Sequence, residues 1–346
     1  MTTVLFIGDP HFQVSNIPEV ELFIEKMTRL AEEKKPDLIV IAGDLLHTHE
    51  RLHSIPLNKA YEFVDKMRHI TETFVLVGNH DMYNNSQFLT NNHWMNSMKE
   101  WKNTVIVDTV ETVTINDNFF VFVPYVYPGR FEEALSISDI DWKNADCIFA
   151  HQEFFGCKMG AIVSVEGDKW PLEYPHVVSG HIHSKQRPQN NIYYSGSAMQ
   201  HAFGESSKNI IAYLTFIPGE DYNLEEIDLK LPRKKIVYMD VENIDDYKLP
   251  ETKDKIKISV SGGYSQFKAL KRTKKYKKLI KEGVKVVFKA KKIEHEKSIP
   301  EKIANETTFS TILGEIVNQE KNNYLYQTYE LIVNNRSTKA DDVMFV

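Results

Sequence analysis

Two short patterns open the reading of this 346-residue chain: Asp9-Pro10-His11 and His181-Ile182-His183. In extended backbone, residues i and i+2 face the same side, so each pattern presents two ligand-type side chains together. Three further groups follow short apolar runs: Gly43-Asp44, Gly78-Asn79-His80-Asp81, and His151 after Cys147–Ala150. Carboxylate, imidazole and amide oxygen together suit a divalent first-row ion such as Mn, Fe or Zn better than Ca. The donors suffice for two ions. A carboxylate shared between ions roughly 3.5–4 Å apart is the usual bridge in phosphatases and nucleases. Such a pair yields a hydroxide at neutral pH and clamps an in-line phosphoryl displacement. Singly, Asp-x-His or Gly-Asp carries little information. Five such groups in this order, each after an apolar run, carry much.

These groups need elements that converge. The runs Val4–Ile7, Leu38–Ile41, Phe74–Val77, Cys147–Ala150, Val177-Val178, Ile192–Tyr194 and Ile210–Phe216 are short and rich in β-branched and aromatic residues, which predicts buried strands. Val20, Phe23, Ile24, Met27, Leu30 and Ala31 have amphipathic-helix spacing, as do Ala60, Phe63, Val64 and Met67. Alternating strands and helices predict a layered α/β fold, with sheets flanked by helices. In open α/β sheets the carboxyl ends of the strands form the ligand crevice, where all five groups fall. Glycines 8, 43, 78 and 180 permit tight turns there. Val105–Val107 and Phe119–Val123 are close in sequence and suggest a hairpin.

The length suggests two domains, and 42% apolar with 26% charged residues excludes wholesale disorder. No stretch approaches the ~18 consecutive apolar residues of a membrane span. The N-terminus lacks the basic segment of a signal peptide. Two cysteines, Cys147 and Cys157, exclude a disulfide framework and a cysteine-built zinc site, which points to a reducing cytoplasm. The net charge of −6 hides an asymmetry: Lys253–Lys302 holds sixteen Lys and one Arg against five acids, a net of +12, so the remainder carries −18. That segment is either a partner surface or a solvated helix face. It includes Lys271, Arg272, Lys274, Lys275, Lys277 and Lys278.

The composition shifts near Leu231–Lys235. Beyond it, a strand at Ile256–Val260, a helix at Tyr264–Lys281 and a strand at Val284–Ala290 predict a small β-α-β cap domain. Phe309, Ile312, Leu313, Ile316 and Val317 then recur at helical spacing, and Leu325, Tyr329 and Ile332 continue the stripe. The expected boundaries are 1–235, 236–303 for the basic cap, and 304–346 for C-terminal helices.

The blocks GDPH, GDLLH, GNHD, AHQEF and GHIH resemble those of the calcineurin-like metallophosphoesterases over roughly residues 1–230. The resemblance implies one metal at Asp9, His11, Asp44 and His183, and a second at Asp44, Asn79, His151 and His181. It implies His80 as general acid, oriented by Asp81. Gly43–His47 and the stretch Tyr194–Glu205 are similar to blocks of the SbcD nuclease family, and size and layout resemble its phage members. His47 would then match a second active-site histidine that handles exonuclease substrate. Pro10, Leu46, Ala198 and Ala202 depart from the usual residues, but none replaces a ligand.

This resemblance implies two Mn²⁺ ions and a DNA nuclease, with 3′→5′ double-strand exonuclease and single-strand endonuclease activities. The setting would be DNA recombination, repair and replication in a cytoplasm, the host's if the chain is phage-encoded. It implies a homodimer and an SbcC-type coiled-coil ATPase, for which the Phe309–Val317 stripe is the expected docking surface. The cap lysines would contact phosphates. A metallophosphoesterase acting on a small phosphodiester or a phosphoprotein is the alternative. His49 and His201 match no ligand block but lie near the motifs and could touch substrate, whereas Tyr125 and Tyr127 in Pro124–Pro128 are expected to pack in the core or a loop rather than line a DNA path.

Overall fold

Apolar side chains on both faces of a strand require cover on both faces, and four layers provide it here. The computed structural model describes residues 1–49, 51–137, 139–290 and 309–330. In chain order the elements are β1 (Thr2–Ile7), α1 (Ile17–Lys34), β2 (Leu38–Ile41), α2 (Ser54–Arg68), β3 (Thr73–Leu76), β4 (Thr104–Val107), β5 (Glu111–Ile115), β6 (Asn118–Val123), α3 (Phe131–Ile137) and β7 (Cys147–Ala150). There follow β8 (Lys158–Met159), β9 (Ile162–Val163), β10 (Val177–Ser179), β11 (Gln186–Gln189), β12 (Ile192–Tyr194), β13 (Ile211–Phe216) and β14 (Asn223–Ile227). One six-stranded sheet has the order β14-β13-β1-β2-β3-β4, and the other β11-β12-β10-β7-β6-β5. β1 to β4 run parallel, as do β6, β7, β10 and β12, so the motif-bearing ends share an edge within each sheet.

Alternation along each strand divides its side chains between cores. Leu5, Ile7, Ile39 and Ile41 pack with Phe23 and Met27 of α1 and Phe63 and Val64 of α2. Val4, Phe6, Val40 and Phe74 face the second sheet, meeting Phe120, Phe122 and Phe149. There Phe74 stacks on Phe122 at 4.0 Å. The far face of the second sheet is covered by Phe131, Leu135, Trp142 and Trp170. The expected layered α/β fold is present.

Three local expectations are corrected. β4 and β6 are not a hairpin: β4 pairs with β3, while β6 pairs with β5 in the other sheet. Two apolar runs close in sequence went to different layers because each completes a different sheet. The cap has three parallel strands, β15 (Lys234–Asp240), β16 (Lys255–Gly262) and β17 (Lys285–Ala290). A boundary at 235 would cut β15. The single cap helix is two, α4 (Tyr264–Leu270) and α5 (Lys274–Lys281), because the Thr273 side chain caps a new start by accepting from Tyr276 N–H. The cap core is Ile256, Ile258, Val260, Leu270, Leu279 and Val284.

Met1–Ala290 forms one compact unit and Lys291–Val346 a second. The expected cap end at 303 and tail start at 304, and Ile332, lie outside the described residues. In the second unit α6 (Phe309–Gln319) and α7 (Asn323–Tyr329) replace one continuous stripe. Lys321 turns the chain at φ 47°, and the Asn322 side chain accepts from Tyr324 and Leu325 N–H. Among the described residues, no helix is long and apolar enough to cross a membrane.

Candidate metal centre

Beyond their last paired residues, the β1 and β2 loops stay joined: His11 N–H donates to Asp44 O at 2.9 Å and Phe12 N–H to Leu45 O at 2.7 Å. The backbone then bends sharply. Asp9, His11, Asp44 and His181 have φ of 26°, 45°, 49° and 75°, in the left-handed region. That region costs non-glycine residues roughly 1–2 kcal/mol each. Four such residues in one cluster are strain that turns side chains off the strand lines toward a common point. Gly43, at φ +97°, lets the layers meet: a Cβ there would lie 2.8 Å from both Gly78 N and His151 Nδ1. A Cβ on Gly78 would collide with Asp44.

All seven expected ligands assemble. Asp44 Oδ2 lies 3.5 Å from His11 Nε2 and 3.4 Å from His151 Nε2. Asn79 Oδ1 lies 3.0 Å from His151 Nε2 and 2.9 Å from His181 Nδ1. His11 Nε2 and His183 Nε2 are 2.9 Å apart. Asp9 Oδ1 accepts from His181 N–H at 2.9 Å and lies 3.4 Å from His151 Nδ1. Asp44, His151 and His181 form one candidate metal group, and His11, His183 and His201 another.

The donor chemistry fits divalent ions. His151 Nδ1 lies 2.6 Å from Ala42 O, which as an acceptor requires the proton on Nδ1. Nε2 then faces two oxygens, Asn79 Oδ1 and Asp44 Oδ2, a position that a bound cation or a second ring proton fills. Asp9 Oδ2, His11 Nδ1 and His201 Nδ1 are buried without a hydrogen-bond partner. An imidazole that donates from one nitrogen to a carbonyl, as His151 does to Ala42 O, has the tautomer that frees the other nitrogen for a metal.

In the metal-free chain, protons partly take that role. Burial pushes the His151 value down, but Asp44 and Asp9 beside it outweigh this and raise it to about 9. Burial also opposes ionisation of Asp44, yet His151 and His11 hold its carboxyl well below the usual range. Burial lifts Asp9 to about 6, and burial with Asp44 nearby lifts Asp81 to about 7. Burial and the positive His151 push His181 down to about 3.

His80 and His47 stand at the rim of the cluster. The His80 backbone N–H donates to Asp44 Oδ1 at 2.8 Å, and its ring lies 4.8 Å from that of His11. The expectation that Asp81 orients His80 is corrected. Asp81 accepts from Gly78 N–H, Trp94 Nε1 and Leu46 N–H. Backbone geometry turns its carboxylate inward, and the His80 ring is instead held at Nδ1 by His47 O, 2.7 Å away.

Three groups outside the expected ligand set touch the cluster. His201 Nε2 donates to Asp9 O at 2.9 Å, with its ring 4.7 Å from that of His11. Glu205 Oε1 lies 3.5 Å from His183 Nδ1. Its place in the Tyr194–Glu205 block was the one signal that pointed to it. His49, two residues beyond the Gly43–His47 block, stacks on His80 at 4.5 Å. Tyr125 is buried, with its ring 5.4 Å from that of His181.

The remaining candidates divide. Lys275 Nζ donates to Asp245 O and Tyr247 O, which removes it from a free cationic surface. Lys271 lies over the Phe267 ring and Lys278 is 3.8 Å from Glu282. Lys274, Lys277 and Arg272 make no ion pair among the described residues. On α6, Ile312 and Ile316 are exposed, Leu313 is half-buried and Val317 is buried, so Val317 leaves the expected docking stripe. The Phe309 side chain lies outside the described residues.

Residues 2–199 match the family described as calcineurin-like phosphoesterase. "Putative phosphoesterase 078R" of Invertebrate iridescent virus 3 is 50% identical over 303 residues, covering 86% of this chain and 87% of that protein. "Putative phosphoesterase 244L" of Invertebrate iridescent virus 6 is 50% identical over 277 residues, covering 78% and 98%. Among solved structures, a dimetal phosphatase from Danio rerio aligns over 65% of this chain and 95% of its own, at 9% identity and a TM-score of 0.42.

Proposed function

The chain belongs to the calcineurin-like phosphoesterase family, and from that premise we propose that it is a two-metal DNA nuclease of the SbcD type. It would hydrolyse phosphodiester bonds as a 3′→5′ double-strand exonuclease and single-strand endonuclease. Asp9, His11, Asp44 and His183 would hold one ion, and Asp44, Asn79, His151 and His181 the other. Bound Mn²⁺ ions would supply Lewis acidity and a nucleophile at neutral pH.

The observation that carries the reading is the pairing of this cluster with two rim imidazoles. The His47 carbonyl occupies His80 Nδ1. Proton transfer therefore falls to Nε2, which donates to the leaving oxygen of the scissile bond. The Nδ1–H···O bond persists after transfer and keeps the neutral tautomer, with its lone pair on Nε2 ready for the next proton. The exposed His47 ring, 5.3 Å from that of His11, would meet the flanking nucleotide. Support for DNA comes from the cap, where Arg272, Lys274 and Lys277 lack ion pairs among the described residues and suit phosphate contacts, which position without reading sequence.

The exposed Ile312 and Ile316, together with Tyr324, Leu325 and Tyr326 of α7, support docking of an SbcC-type coiled-coil ATPase. A homodimer acting in recombination, repair and replication completes the proposal. The deciding assay is full-length chain with Mn²⁺ and linear duplex DNA, beside His80→Ala. Degradation that His80→Ala loses is the expected result. Intact DNA with brisk hydrolysis of an aryl phosphodiester would move the enzyme to a small substrate.

A further inference from the structure

The segment Gln200–Glu205 touches the metal ligands on one side and the cap on the other. On the metal side, His201 Nε2 donates to Asp9 O at 2.9 Å. Its ring packs 4.7 Å from His11 and 5.2 Å from His183. Glu205 Oε2 accepts from the backbone N–H of His201 at 2.9 Å and Ala202 at 2.8 Å, while Oε1 faces His183 Nδ1. One carboxylate thus ties the segment to a ligand ring.

On the cap side, the contact is concentrated at Lys234, the first residue of β15. Its ammonium donates to Gln200 O at 2.6 Å and His201 O at 2.7 Å. Its backbone N–H donates to Gln200 Oε1 at 2.7 Å, and Gln200 Nε2 returns a bond to Lys234 O at 3.3 Å. Two consecutive carbonyls of the segment are therefore gripped by one cap side chain, and the second belongs to the residue that supports Asp9.

We propose that Lys234 is a positioning residue that couples placement of the cap to the metal centre through Gln200–Glu205. The inference rests on the reading of Asp9, His11 and His183 as metal ligands. If the cap shifts, Lys234 releases the His201 carbonyl, and the supports of Asp9 and His183 move with the segment. Coupling between two sites is reciprocal, so metal binding must also tighten the cap strand. A cap that engages a polyanion would in this way report on the state of the metal centre.

The test uses the full chain and Mn²⁺ alone. Free Mn²⁺, read by its paramagnetic resonance signal, gives the affinity. Loss of an outer partner of a metal site typically weakens binding about 10–100-fold, and Lys234→Met is expected to fall in that range. Lys234→Arg, which keeps two donors in reach, should recover part of the loss. Lys235→Met, whose exposed ammonium pairs with Asp254 on the outer side, should bind as wild type. Hydrogen exchange of the Lys234–Asp240 amides should slow when Mn²⁺ is added to wild type. That arm needs no variant and stands if Lys234→Met fails to fold. Wild-type affinity in a folded Lys234→Met, or a β15 indifferent to Mn²⁺, overturns the coupling. No Mn²⁺ binding by the wild-type chain sinks the metal reading itself, and the coupling with it.

Discussion

The Asp44 carboxylate stands between His11 and His151, with Oδ2 3.5 Å from one Nε2 and 3.4 Å from the other. Its second oxygen accepts the backbone N–H of His80 at 2.8 Å. One side chain therefore joins both halves of the donor cluster and sets the start of the His80 turn.

Asp44→Asn should accordingly weaken both ions rather than one. Titration with Mn²⁺ should show both sites weakened at least about 100-fold, the upper end for a lost partner group. Retention of one tight site would remove Asp44 from the bridging role.

The same carboxylate predicts a pH effect in the chelated protein. His151 is raised to about 9 from an ordinary 6.5. A folded value above the unfolded one gives stability that is complete below pH 6.5 and is lost as pH rises through about 9. Urea unfolding in EDTA should show that decline between about pH 6.5 and 9. The decline should shrink in Asp44→Asn, where the main charge raising His151 is gone.

His80→Asn should lower kcat by about 10²–10⁴-fold, the usual contribution of a general acid, while KM and metal content stay near wild type. An equal fall in metal affinity would make His80 a structural support of the cluster.

The cap cations predict a graded salt response. Neutralising Lys274 and Lys277 together should reduce the slope of log affinity against log salt by roughly one for each phosphate left without its cation. Lys275→Met should leave the slope unchanged, because its ammonium is already bound to Asp245 O and Tyr247 O. Equal effects from all three would mean a diffuse field instead of discrete phosphate pairing.

On α6, Ile316→Asp should abolish capture of a coiled-coil ATPase of the SbcC type and leave helix content intact. Val317→Asp should lower helix content by circular dichroism, because a buried unpaired carboxylate is costly. Matching losses of helix content in both would return Ile316 to packing.

Much of the centre was legible in the sequence by itself. Asp9, Asp44, Asn79, His151, His181 and His183 each follow an apolar run, and strand ends in α/β sheets converge for reasons of topology that local pattern already encodes. Helical spacing of apolar residues likewise fixed the buried stripes of α1 and α2. What the sequence could not decide were choices between distant partners of equal local quality. The apolar runs at β4 and β6 look alike, and only the pairing of β5 with β6 sent them to different sheets. Asp81 beside His80 suggested a dyad, but turn geometry gave that ring to the His47 carbonyl. His201 meets Asp9 across 192 residues of chain, and Lys234 grips the His201 carbonyl across 33. Pairings of that span are set by how layers pack, so periodicity, which reads neighbours along the chain, has no access to them.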